Sequence, residues 1–224
     1  MTSDTFDDIL NDQQLCHFWD LFNEVQGWPI TQRQEWFYVA IIFVTGVRMK
    51  EARDMKVEDM QVHPRPLIHI PCGKGGKGRI VDVMPEFVPH YEAYVAELRG
   101  LRRRWAFKSA QSGRLPFGDK PPSVRCCREW WKRVIEACGI TYTRALACHS
   151  GRRVFTNYIP RLPYPGAYGA PEYMSLRSLQ DQLGHGSIET TAKYYFRAMP
   201  GHRFPSDQVF EWREHVCPVK KEEE

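Results

Sequence analysis

The chain has 224 residues, 42% of them hydrophobic, enough to bury one sizeable core, and it reads as one domain. Its net charge of +4 and pI near 8.7 are too mild to establish nucleic-acid binding, although the acidic end, residues 222–224, masks a more basic body. Seven cysteines, an odd number with no C-x-x-C pair, argue against a disulfide framework and a zinc site, and no apolar run approaches the roughly 18 residues of a membrane span. A soluble protein of a reducing, cytoplasmic compartment is expected.

Residues 1–11 are acidic and polar and read as a loose N-terminus. From Asp12, Leu15, Phe18, Leu21, Phe22 and Val25 recur at helical spacing until Gly27 and Pro29 stop the helix. Thr31 followed by Gln34 reads as a capping box opening a second helix over 32–44, with Trp36, Val39, Ala40 and Phe43 in the core. Gly46 ends it. Arg48 and Glu51 then share one face at the start of a third, short helix. Runs 67–70 and 80–83 are β-prone and flank a glycine-rich turn, the form of a hairpin with Lys74 and Lys77 on its tip.

An amphipathic helix over 87–98 follows, then a polar loop through Gly113 and Gly118, and a helix over 123–137 whose Trp130, Trp131, Val134 and Ile135 face the core. Two basic runs accompany these elements: Arg99, Arg102, Arg103 and Arg104, then Arg125, Arg128, Lys132 and Arg133. They suit phosphate contacts and equally a solvated helix face. A helix over 149–159 precedes a segment, 160–171, with too many prolines and glycines for regular structure. His185 stands in a loop before a helical segment that starts near Ser187 and carries Tyr194 about two turns on. Beyond a turn at Pro200 and Gly201, Ser206 caps a short helix with Val209, Phe210 and Val216 on one side. The expected fold class is mainly α with a small antiparallel β-hairpin or sheet.

Four short motifs stand out: T-G-V-R-M-K-E over 45–51, G-K-G-G-K-G-R over 73–79, H-S-G-R-R over 149–153, and L-G-H over 183–185 with a tyrosine nine positions after its histidine. Each alone is weak. In this order they resemble the catalytic domain of the tyrosine recombinase (phage integrase) family, which implies that family's catalytic-domain fold over residues 12–200. A phenol has an unperturbed pKa of about 10, so it attacks only where cations and hydrogen bonds stabilise the developing charge.

The resemblance assigns the nucleophile to Tyr194, and Tyr195, about 100° round the helix, cannot face the same phosphate. Arg48 and Arg152 neutralise the non-bridging oxygens, a role that suits an always-charged, planar, bidentate group. Lys74 protonates the departing 5′ oxygen, with Lys77 its rival. His149 and His185 serve as proton acceptor from the tyrosine and as donors to the phosphate. Glu51 supports Arg48 or His149. Arg153 stands where the family usually has histidine, with Glu189 or DNA as its partner.

No carboxylate cluster marks a magnesium site and no Walker-type loop is present, so strand cleavage is expected without metal, ATP or another cofactor. The implied function is site-specific recombination of double-stranded DNA through a 3′-phosphotyrosyl intermediate, by subunits that associate as dimers or tetramers on DNA. Neither a membrane nor a small-molecule substrate is implied. A type IB topoisomerase uses a similar residue set, and a DNA-binding regulator that has lost catalysis keeps the same fold. The family usually adds an N-terminal helical clamp, for which this chain lacks the length, so either a solitary catalytic domain or a fragment of a longer protein is expected. The segment 160–171 lengthens the gap between H-x-x-R and L-G-H, as an inserted loop near DNA or at a subunit contact. The tail, 201–224, is expected either to dock on a neighbouring subunit, as the resemblance implies, or to fold its apolar side back on its own core.

Overall fold

The computed structural model describes residues 10–72, 78–108, 120–143, 146, 149–158, 164–165, 171–172 and 174–197. Helix α1 (Asp12–Glu24) opens on a reciprocal cap: the Asn11 side chain accepts the Gln14 N–H at 2.9 Å, and the Gln14 side chain accepts the Asn11 N–H at 3.0 Å. Leu10 is buried, and its carbonyl accepts the Tyr158 hydroxyl at 3.0 Å. Leu10, inside the stretch expected to be loose, is therefore packed.

Helix α2 (Ile30–Thr45) is buried without a break from Trp36 to Thr45, the mark of a helix surrounded on every side. Around it lie α1, α3 (Met49–Arg53), α5 (Val124–Ala137) and α6 (His149–Tyr158). The expected Thr31–Gln34 cap does not form, because α2 already begins at Ile30 behind Pro29 and Thr31 falls inside its first turn. Gln34 instead pairs with the backbone of Lys108, donating to its carbonyl at 3.0 Å and accepting its N–H at 3.1 Å. Helix α4 (Val88–Gly100) closes another side of the core, where Tyr94 stacks on Phe37 with ring centroids 3.7 Å apart.

The hairpin gains a third strand. β1 (Met60–Gln61), β2 (Leu67–Ile70) and β3 (Arg79–Asp82) form an antiparallel sheet in that order, with Ile68 opposite Val81 and both side chains in the core. A second antiparallel pair, β4 (Tyr164–Pro165) with β5 (Pro171–Glu172), lies in the segment expected to be irregular. Two residues per strand suffice for pairing and are too few to leave a period in the sequence.

Two helices carry the C-terminal motifs. α7 (Leu176–Leu183) is capped by Ser175, which accepts the Ser178 N–H at 3.0 Å, and buries Leu179 and Leu183. Its Gln182 amide accepts the Asp82 N–H at 3.0 Å and donates to the Asp82 carbonyl at 2.9 Å, so α7 occupies the open edge of β3. α8 (Ile188–Arg197) packs against α7 and α6. Gly151 lets α6 approach α2 and α5: a Cβ there would lie 2.8 Å from Ile42 Cγ2 and would also strike Trp131.

Candidate active site

Two left-handed glycines build the floor of the site. Gly46 (φ 65°) terminates α2 and Gly184 (φ 62°) terminates α7, and each helix end leaves carbonyls without intrahelical donors. Arginines fill that deficit. Arg152 is buried and donates through Nη1 to the Gly46 carbonyl at 2.8 Å and through Nη2 to the Leu183 carbonyl. Arg79 Nε donates to the Gln182 carbonyl at 2.9 Å, and Arg48 Nη2 makes a longer contact of 3.3 Å to the Gly184 carbonyl. Helix C-termini carry partial negative charge, so both the hydrogen bonds and the dipoles favour three guanidiniums here. Gly184 is required twice over, since a Cβ would also lie 2.9 Å from Arg79 Cδ.

One carboxylate ties two of these cations together. Glu51 accepts the Arg48 N–H at 2.7 Å and Arg48 Nη1 at 2.8 Å, and takes Arg79 in a bidentate pair, Nη1 at 2.9 Å and Nη2 at 2.7 Å. Its side chain is only 6% exposed. Burial alone would raise its pKa, but the hydrogen bonds and charges of Arg79 and Arg48 win and hold it at about 2. Glu51 thus pairs with Arg48 and with Arg79, while the side chain of His149, the other expected partner, lies outside the described residues.

His185 follows Gly184 directly. Gln180 holds its backbone on both sides, accepting the N–H through its carbonyl at 3.1 Å and donating Nε2 to the His185 carbonyl at 3.0 Å. The ring Nδ1 lies 2.9 Å from the hydroxyl of Thr191, which is fully buried on α8. Burial first, then the positive charges of Arg152, Arg48 and Arg79, push the His185 pKa down to about 4. The imidazole is therefore uncharged near neutral pH. A cleft of about 470 Å³ passes Arg48 and Glu51 and reaches Ile70 and Cys72.

Arg48, Glu51, Arg152 and His185 are therefore brought to one place by α2, α3, α6 and α7. Lys74 and Lys77 lie outside the described residues. His149 is the first residue of α6 and Tyr194 belongs to α8, while the side chains of both lie outside the described part of the structure. Sequence reasoning missed Arg79 and Thr191 as members. The signals were present: Arg79 ends the G-K-G-G-K-G-R motif, and Thr191 stands one helical turn before Tyr194. Among the described residues no three His, Cys, Asp or Glu side chains gather as a metal-binding group, and no helix is long and apolar enough to cross a membrane.

A mainly helical domain that gathers guanidiniums on two helix ends, beside a histidine and a tyrosine-bearing helix, defines a protein fitted to an anion such as a phosphate. The chain belongs to the phage integrase family, whose model matches residues 20–201. It is 29% identical over 172 residues to the tyrosine recombinase XerD of Mycobacterium tuberculosis, covering 74% of this chain and 48% of the relative. It is 23% identical over 171 residues to the tyrosine recombinase XerA of Thermococcus kodakarensis, covering 74% and 52%. The chain thus spans about half the length of the curated relatives it matches.

Among solved structures, a XerA recombinase superposes with a TM-score of 0.62 at 18% identity over 94% of this chain and 65% of the other. The XerH site-specific recombinase, in a post-cleavage complex with a palindromic difH substrate, gives 0.61 at 18% identity over 85% and 50%. The catalytic domain of bacteriophage HP1 integrase gives 0.52 at 17% identity, over 87% of this chain and 89% of that domain. The fold is that of tyrosine recombinase catalytic domains, as the sequence motifs imply.

Proposed function

We propose that the chain is the catalytic part of a site-specific DNA recombinase that cuts and rejoins double-stranded DNA through a 3′-phosphotyrosine at Tyr194. The observation that carries this reading is the convergence of Arg48 and Arg152 on the helix ends beside His185, three groups matched to the non-bridging oxygens of one phosphodiester. The names of the relatives support it, and so does the DNA-bound post-cleavage state of the XerH structure.

In the proposed reaction the Tyr194 oxygen bonds to phosphorus and the bond to the 5′ oxygen breaks. His149 takes the phenolic proton and Lys74 gives a proton to the leaving 5′ oxygen. The charge that builds on the non-bridging oxygens is met by Arg48, Arg152 and His185, the first held by Glu51. The phosphotyrosine retains the energy of the broken phosphodiester, so rejoining needs no ATP.

The partners are double-stranded DNA and further copies of this chain, as a dimer or tetramer, in the cytoplasm or wherever the host or element DNA resides. Residues to about 200 form the catalytic domain, and 201–224 dock on a neighbouring subunit. The spacing of Tyr194 from His185 favours a recombinase over a type IB topoisomerase. A nicked suicide duplex tests the assignment: Tyr195→Phe should trap covalent protein–DNA adduct and Tyr194→Phe should not. Adduct formed by Tyr194→Phe would overturn it.

A further inference from the structure

Two buried threonines inside helices, Thr45 and Thr156, return their hydroxyls to their own helix. Thr45 Oγ1 donates to the Ile41 carbonyl four residues back, and Thr156 Oγ1 donates to the carbonyls of Arg152 and Arg153 at 3.2 and 3.0 Å. Thr191 departs from this habit. It is fully buried on α8, yet its hydroxyl points out of the helix to His185 Nδ1 at 2.9 Å. Among the described residues it has no other hydrogen-bond partner, the Ser187 carbonyl four residues back included.

That geometry decides which nitrogen of the ring carries the proton. A hydroxyl has one proton to give and two lone pairs to offer. If Nδ1–H donated to Thr191, the threonine's own proton would be left buried without an acceptor, a penalised state. If Thr191 donates to Nδ1, both groups are satisfied and the ring proton must sit on Nε2. The surrounding Arg48, Arg79 and Arg152 are donors only and cannot stabilise a proton on either nitrogen; their charges instead oppose a second ring proton.

We propose that Thr191 is a positioning residue that fixes His185 as the tautomer with its proton on Nε2, making the ring a hydrogen-bond donor to the scissile phosphate. The part concerning phosphate rests on the recombinase reading above. The opposite tautomer would turn a lone pair toward phosphate oxygens and repel them. Thr191 also stands three residues before Tyr194 on the same helix, so the hydrogen bond joins the loop that stabilises the phosphate to the helix that delivers the nucleophile. The ring is set as a donor only when α8 is seated against α7.

The tautomer is readable without any DNA. Histidine 15N shifts in the full chain at neutral pH, with the His185 signal among eight histidines found by difference against His185→Gln, should show Nε2 protonated and Nδ1 bare. Thr191→Ser should preserve that pattern, and Thr191→Val, which keeps the shape and removes the hydroxyl, should shift it toward Nδ1–H. On suicide DNA, Thr191→Val should form adduct roughly ten- to a hundredfold more slowly with unchanged DNA affinity, and Thr191→Ser should recover most of the rate. An Nδ1–H tautomer in the unsubstituted protein, or an unchanged tautomer in a folded Thr191→Val, overturns the proposal. If the unsubstituted protein forms no adduct, the recombinase reading fails while the tautomer result stands by itself. If Thr191→Val fails to fold, the unsubstituted protein and Thr191→Ser decide it: loss of the Nε2–H pattern in either overturns it.

Discussion

Replacing Glu51 by glutamine keeps the volume and one acceptor oxygen but removes the charge that Arg48 and Arg79 share. The pair is deeply buried, with the Arg79 side chain only 9% exposed and that of Glu51 6%. The Glu51 pKa falls from the usual 4.5 to about 2, because the two arginines outweigh the burial that opposes ionisation. At about 1.4 kcal/mol per pKa unit, that depression corresponds to roughly 3 kcal/mol of folding stability, the lower end of the cost of breaking a buried pair. The folded pKa lies below the unfolded one, so this stabilisation is complete above about pH 5 and drains away as pH falls toward about 2. Urea unfolding should therefore find Glu51→Gln less stable by roughly 3 kcal/mol at neutral pH, with the gap to the unsubstituted chain narrowing by about 2 kcal/mol between about pH 5 and pH 3. A gap below about 1 kcal/mol at neutral pH, or one that stays constant down to pH 3, would refute the argument that this carboxylate's charge holds the site together.

Gly184→Ala forces a Cβ into the left-handed region at 2.9 Å from Arg79 Cδ and should cost about 1–2 kcal/mol in urea unfolding, whereas Gly186→Ala, whose Cβ meets nothing within 4 Å, should stay within about 0.5 kcal/mol. Lys74→Ala should fail on ordinary DNA yet cleave nearly normally when the bridging 5′ oxygen is sulfur, a leaving group that needs no acid; the same rescue in Lys77→Ala instead would move the role to Lys77. A chain ending at Gly201 should still bind DNA, through contacts that weaken with salt, but should assemble and recombine poorly in a gel shift and a two-site reporter. Unchanged synapsis and recombination would remove the docking role from the tail.

The sequence disclosed those parts of the site whose chemistry fixes a residue type. Arg48, Arg152 and His185 stood out through the family resemblance of T-G-V-R, H-S-G-R-R and L-G-H, and the roles it implies suit those residue types. Partners set by tertiary contact were hidden. Arg79 meets Glu51 across 28 positions and the Gln182 carbonyl across 103, distances at which no local pattern survives. The Thr31–Gln34 pair shows the reverse failure, a local signature overridden because the helix begins two residues earlier, behind Pro29. Helix α7, only 8 residues long behind a proline-rich stretch, offered Leu179 and Leu183 as its sole buried aliphatic positions, too little periodicity to announce a helix. Yet that helix supplies the Leu183 and Gly184 carbonyls and seats His185, so the hardest element to read holds the centre of the site.

T-G before Arg48 and L-G before His185 prove to be the same device used twice. A left-handed glycine stops a helix, the bare carbonyls of its last turn accept guanidinium protons, and the arginines are fixed before any substrate arrives. A free arginine would surrender about 2 kcal/mol of side-chain entropy on meeting a phosphate, and anchoring moves that cost into folding. The charges then decide what the site prefers. Among the described groups Glu51 pairs with Arg48 and Arg79, and Arg152, held on backbone carbonyls, adds a third guanidinium, so these side chains sum to plus two around His185. A phosphodiester carries one negative charge, and attack by a deprotonated tyrosine adds a second as the phosphorane forms. The pocket's excess thus matches the proposed transition state better than the ground state, the condition for catalysis rather than mere binding. A protonated His185 would add a third uncompensated charge and exceed that match. Burial first, and these guanidiniums after it, hold the imidazole pKa near 4, so in the proposed reaction the cations that would meet the phosphate also help to keep the histidine a neutral donor.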